Sequence, residues 1–183
     1  MRLDIHLHEP SETGLAQLVR IAERTRAAGL QGRVAVSHAY ALGEVPLARA
    51  LQVGEALAAA GVAIMSNAPG DHPFPPLRAL HDAGVRVFAG NDNIRDCWWP
   101  YGNGDLLQRA MLLGYRSGFY TDADLMLALE MVTTHAAAVI GLPEYGMGEG
   151  MPATFVAVRA DHGPAAVAGV PAERRVVVGG RWV

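Results

Sequence analysis

The run Asp4-Ile5-His6-Leu7-His8-Glu9 sets two imidazoles two residues apart, with a carboxylate directly after them. Side chains two apart on an extended strand share a face. His6 and His8 therefore point together, and Glu9 follows at the strand exit. Neutral imidazole is a common ligand for zinc or iron, and a neighbouring carboxylate can move protons at a reacting atom. The plainer alternative is a hydrogen-bonded histidine pair at a strand end. A second group, Val36-Ser37-His38-Ala39, ends another apolar run on a histidine. The third group is the densest. Asn91, Asp92, Asn93, Arg95, Asp96, Trp98, Trp99, Tyr101 and Asp105 crowd into one loop punctuated by glycines. A carboxylate leaving a strand suits metal ligation or base chemistry, and an exposed tryptophan can stack on a flat ring. Alternatively Trp98 and Trp99 simply pack the loop, with the acids paired to Arg95. His135 reads as a helix-terminal or core residue, and His72, His81 and His162 as surface residues.

These groups need elements to hold them. Apolar runs rich in Val, Ile and Ala mark strands at Leu3–His8, Arg33–His38, Val62–Asn67 and Val85–Gly90. They read as parallel strands buried on both faces. Helical stretches fill the gaps. Ser11 is positioned to cap one running to about Ala28, with an apolar stripe of Leu15, Leu18, Val19 and Ala22. Val45–Ala60, Pro76–Ala83 and Asp105–Ser117 are others. Asp122–Ile140 is helical with a break near Thr133 and Thr134, where β-branched residues weaken the helix. Alternating strands and helices make a parallel α/β sheet, and such sheets present ligands at their carboxyl edges. Four strands delivering polar residues to one edge is a stronger signal than any single motif. Thr154–Ala160 and Arg175–Val183 differ: they read as two strands around an Ala/Gly/Pro-rich connection with no helix to cover them.

Composition narrows the chemistry. Apolar residues make up 51% and charged residues 18%, an ordinary globular balance that excludes a disordered chain. The net charge is −3 with basic residues scattered, which leaves no nucleic-acid footprint. All fifteen basic residues are arginine, so lysine chemistry, including a carbamylated-lysine metal bridge, is excluded. One cysteine, Cys97, permits no internal disulfide and points to a reducing compartment, with the cytoplasm as the expected location. Neither a signal peptide nor a membrane-spanning run is expected, and no Gly-x-Gly-x-x-Gly or phosphate loop suggests a nucleotide-binding α/β domain.

Taken in order, His-x-His-Glu, Ser-His-Ala and Asp92 followed by Asn-Ile-Arg-Asp-x-Trp-x-Pro-x-Gly-Asn-Gly-Asp resemble the C-terminal half of the amidohydrolase superfamily, in its cytosine deaminase branch. The resemblance covers essentially the whole chain. It implies the second half of a metal-dependent TIM barrel, strands five to eight with their helices over residues 1–150, plus strands of a small β-sandwich appendage over 151–183. A complete barrel of this kind needs about 250 residues. The resemblance makes His6 a metal ligand ending barrel strand five and Glu9 the proton-shuttling glutamate. His38 would orient the hydrolytic water or polarise the substrate. Asp92 would be both metal ligand and proton acceptor. Trp98 would lie against the substrate ring, with Asn93 and Asp96 as further pocket residues. His8 has no firm role in it. An alternative alignment makes Asp4–His8 the strand-one metal pair; the adjacent Glu9 and the 30-residue step to Ser-His-Ala favour strand five.

The implied activity is hydrolytic deamination of an aminated pyrimidine or triazine ring by one divalent metal, zinc or iron, with manganese also possible. The partners implied are a small heterocyclic substrate and either a second copy or a chain supplying the first half barrel, with no nucleic acid and no membrane. The competing reading is an inactive half that serves as a structural or partner-binding module.

Overall fold

A computed structural model describes residues 1–183. The chain divides into two compact units, Met1–Gly104 and Asp105–Val183.

In the first unit, four parallel strands lie in the order β1-β2-β3-β4: β1 Leu3–Leu7, β2 Val34–His38, β3 Val62–Ser66 and β4 Val87–Ala89. Helices α1 (Ser11–Ala27), α2 (Leu47–Ala59) and α3 (Leu77–Asp82) connect them, and a single 3-10 turn, Tyr40–Gly43, follows β2. The strands are short apolar runs and the helices bury one stripe each. Leu15 and Leu18 of α1, Val53 and Leu57 of α2, and Leu77 and Leu80 of α3 are fully buried with Val36, Ile64 and Val87 of the sheet. The strand register is what builds the site. Leu7 of β1 lies beside His38 of β2, and Ser37 beside Met65 of β3, so the strands finish along one edge.

Three local expectations are corrected here. Ser11 does not cap α1: Pro10 holds the cap position, and the Ser11 backbone N–H donates to Glu44 Oε2 at 2.7 Å. Burial on both faces holds for β2, whose five residues are all buried, but not for β1. Leu3 is 39% exposed and His6 is open as well. A parallel strand is buried only when neighbours flank and cover it, and β1 is paired on one side alone. The fourth strand is shorter than the expected Val85–Gly90, spanning only Val87–Ala89, where its pairing with β3 ends.

In the second unit, α4 (Leu106–Ser117) packs on α5 (Asp122–Val132). Asp105 caps α4, accepting from the Leu107 N–H at 2.9 Å, and its other oxygen meets Arg174 at 2.7 Å. The expected break falls at Thr133, between α5 and α6 (Thr134–Ile140). There the Thr133 hydroxyl donates to the Leu129 carbonyl at 2.7 Å, a competing bond that interrupts the helical ladder. Asp122–Ile140 is long and apolar enough to cross a membrane, with a hydropathy of 1.4. The sequence reading found no such run. The break divides the stretch, and its Leu127, Ala128 and Met131 are buried.

Strands β5 (Phe155–Val158), β6 (Arg174–Val178) and β7 (Arg181–Trp182) form an antiparallel sheet. What read as one strand, Arg175–Val183, is a hairpin. Gly179 and Gly180 both take positive φ, 56° and 79°, which a tight two-residue turn requires. The connection before β6 holds a short helix, α7 (Gly163–Gly169). Pro164 opens it and the His162 ring caps it, accepting from Ala165 N–H at 3.2 Å. Seven residues rich in Gly and Ala carry little helix signal of their own; Val167 and Ala166 are buried because α7 packs on α5. That packing joins α7 to α5 within the unit Asp105–Val183.

Candidate metal centre

β1 is extended, so Leu7 turns into the core while His6 and His8 emerge on the other side. β2 runs beside it and ends on His38, which is only 2% exposed. The register brings all three imidazoles together, each with a ligating nitrogen within 4.8 Å of the others. His38 Nε2 lies 3.3 Å from His6 Nδ1. Two imidazoles sharing a tetrahedral zinc at about 2.0–2.1 Å have their nitrogens about 3.4 Å apart. Imidazole nitrogens this close suit a divalent ion, and the 3.3 Å pair equally suits an N–H···N hydrogen bond. His8 joins as a full member, its ring centroid 4.3 Å from that of His38.

Burial of His38 is the main cause holding its pKa below the usual imidazole value of 6.5; the neighbouring His8 acts the same way, while Asp92 opposes it. The neutral form is thereby favoured. The sign for stability follows. A depressed folded pKa means that the unfolded chain binds more protons below 6.5. The first unit is expected to hold its full stability above that pH and to lose it progressively as the pH falls through the folded value. Urea unfolding of the metal-free chain at stepped pH reads this directly. A midpoint that is flat across the window, or equally steep in His38→Gln, contradicts it.

Tyr40 was not singled out by the sequence reading. Its hydroxyl lies 3.1 Å from His38 Nδ1. Its ring stands 5.4 Å from His8 and 5.4 Å from His72. His72 is exposed, as its sequence context indicates; its ring also joins this aromatic layer, and its Nε2 lies 3.5 Å from Asp71. No period in the sequence finds either residue, because both lie in turns beyond the strand ends.

Asp92 does not join the histidine cluster. β4 is three strands from β1, and the Asp92 carboxylate accepts from Asn67 Nδ2 at 3.3 Å. Its charge does reach the cluster, tending to raise the pKa of His38 and, after burial, of Tyr40. Asn93 and Asp96 bond one another at 2.7 Å. The other Asp96 oxygen accepts from the backbone N–H groups of Trp98 and Trp99, at 3.0 and 2.9 Å. Asn93 and Asp96 thus clasp their own loop. These bonds hold the Asp96 carboxyl below the usual range, the Asn93 bond most of all. Within the clasped loop Trp99 packs on Gly70 and Tyr101, while Trp98 is left 79% exposed. Glu9 is exposed at the exit of β1.

A parallel sheet with histidines at its carboxyl edge, followed by an acidic, tryptophan-bearing loop, defines a class. Residues 1–183 match the amidohydrolase family, and the chain belongs to it. The family is metal-dependent. The N-isopropylammelide isopropyl amidohydrolase of Pseudomonas sp. (strain ADP) is 34% identical over 158 residues, covering 84% of this chain and 38% of that protein. The crystal structure of N-isopropylammelide isopropylaminohydrolase from Burkholderia multivorans ATCC 17616 superposes with a TM-score of 0.94 at 41% identity, covering all of this chain and 47% of that one. A 5-methylcytosine deaminase from Klebsiella pneumoniae, liganded with 5-fluorocytosine, shares the fold, with a TM-score of 0.88 at 24% identity and 48% of its chain covered. The chain thus spans less than half the length of these relatives, and its parallel sheet is part of an amidohydrolase barrel.

Proposed function

We propose that this chain carries the second half of the active site of a hydrolase that cleaves C–N bonds of an aminated pyrimidine or triazine ring. The convergence of His6, His8 and His38 within 4.8 Å carries this reading. His6 with His8 would hold a divalent ion, zinc or iron. Such an ion, when bound, makes water acidic enough to act as a nucleophile near neutral pH. His38 hydrogen-bonds the reacting water or substrate oxygen. The Asp92 carboxylate accepts the water's proton, and Glu9 returns protons to the ring nitrogen and the departing amine. Trp98 offers an exposed indole face to the ring, and Asn93 and Asp96 position it by clasping the loop.

The remaining wall of the pocket is supplied by a half barrel that docks along the open side of β1. A second reading, a partner-binding module without activity, is favoured by that same exposed edge strand. One experiment separates them. The purified chain, with zinc, is assayed for amine or ammonia release from cytosine and from ammelide-type triazines, alone and mixed with the N-terminal half of the Burkholderia enzyme. Release by the mixture, reduced about 10²–10⁴-fold by Asp92→Asn as expected for loss of a proton acceptor, supports the hydrolase. A stable complex that binds zinc yet releases nothing from either ring supports the binding module instead.

A further inference from the structure

We infer that Tyr40 is a positioning residue that fixes the tautomer of His38, making its Nε2 a hydrogen-bond donor. The inference rests on the reading of His38 as a site residue, but not on a bound metal.

The backbone first indicates that the Tyr40 placement is built in. His38 and Ala39 both adopt left-handed conformations, with φ of 74° and 48°. Neither is glycine, and such residues cost on the order of 1–3 kcal/mol each unless their surroundings hold them. Here they are held. The Ala39 N–H donates to the Leu7 carbonyl at 3.1 Å, the Leu42 N–H donates to the Ala39 carbonyl at 3.0 Å, and Ala39 is buried. The result is a reversal of the chain directly after β2 that folds residue 40 back over residue 38. An extended continuation of β2 would carry Tyr40 away along the strand.

The hydrogen bond then has a direction. A phenol O–H is a much better donor than an imidazole N–H, and an unprotonated imidazole nitrogen is a strong acceptor. A phenol hydroxyl keeps its proton at neutral pH. Tyr40 therefore donates to His38 Nδ1 across 3.1 Å. A neutral imidazole that accepts at one nitrogen carries its proton on the other. The His38 proton sits on Nε2, which faces His6 Nδ1 at 3.3 Å. In this state His38 Nε2 cannot offer a lone pair to a metal. It offers an N–H instead, which suits hydrogen bonding to water or to a substrate oxygen. Within a cluster that looks like three equivalent ligands, Tyr40 separates the roles: His6 and His8 keep lone pairs available, and His38 becomes the donor.

The test is nitrogen NMR of the histidine side chains in the metal-free chain at about pH 8, where imidazoles are neutral. The expected wild-type result is a His38 Nε2 that carries the proton and an unprotonated Nδ1 shifted by the Tyr40 hydrogen bond. In Tyr40→Phe the proton is no longer confined to Nε2: the two His38 nitrogen resonances move toward the averaged positions of mixed tautomers, and Nδ1 loses its hydrogen-bond shift. A protonated His38 Nδ1 in the wild type overturns the inference, whatever the variant does. So does an Nδ1 resonance that Tyr40→Phe leaves unmoved. The spectra are recorded without metal, so failure of the zinc reading does not affect them.

Discussion

Replacing His6 by alanine is expected to lower the affinity of the chain for zinc by about 100-fold or more, roughly 2.8 kcal/mol at 1.4 kcal/mol per tenfold. The size follows from what the substitution removes. Loss of a residue that merely orients a ligand costs about 10–100-fold, and loss of a ligand itself costs at least the upper end. His6 lies within reach of both other imidazoles: its ring centroid is 4.9 Å from that of His38 and 6.4 Å from that of His8. Removing it leaves His8 as the single imidazole of the proposed pair, with His38 beside it as a hydrogen-bond donor. Titration calorimetry with zinc on the wild type, His6→Ala and Glu9→Gln measures this. Glu9 is given no ligand role, so Glu9→Gln is expected to bind zinc as the wild type does. Equal affinity in wild type and His6→Ala would remove the histidine cluster as the metal centre.

The second large effect concerns the fold beneath the site. Glycine inside a helix ordinarily costs about 1 kcal/mol relative to alanine, so Gly→Ala in a helix is usually stabilising. Gly14→Ala in α1 is expected to do the reverse and destabilise the first unit by about 1–3 kcal/mol, as overpacking does. A methyl group at Gly14 would collide with the Glu9 carbonyl oxygen and stand 2.6 Å from Ala41 Cβ. Neither neighbour is the free end of a flexible chain. The Glu9 backbone must move, and with it the carboxylate proposed to carry protons. Gly169→Ala in α7 meets nothing within 4 Å, and serves as the control, with a neutral or slightly positive effect. Chemical denaturation of the three chains reads both signs. Gly14→Ala as stable as the control would show that α1 does not need to approach the end of β1 so closely.

Much of this arrangement is legible before any folding. Alternation of short apolar runs with longer amphipathic stretches marks β1 to β4 and α1 to α5, because strand and helix periods differ and burial enforces them. The break at Thr133 is legible from two β-branched residues in succession. The resemblance to the amidohydrolases is carried by residues adjacent in sequence, above all the Asn91–Asp105 loop, and the family match covers the same span. Elements whose signal lies elsewhere are missed. α7 is short and exists because Val167 finds α5. The hairpin at Gly179–Gly180 hides within a run of strand-forming residues.

The sequence alone therefore determines which residues can do chemistry here and which edge of the sheet they reach. His6 and His8 share a face because strand side chains repeat every two residues, a fact of local geometry. Tertiary structure decides the partnerships. His38 meets His6 and His8 only through the β1–β2 register, between residues about thirty apart in the chain. Tyr40 turns back onto His38 because His38 and Ala39 take positive φ, with Ala39 held by bonds to Leu7 and Leu42. Asp92 falls outside the histidine cluster because two strands lie between β1 and β4. β1 stays exposed although its composition suits a buried strand, since burial depends on what packs beside it and not on the strand's own residues.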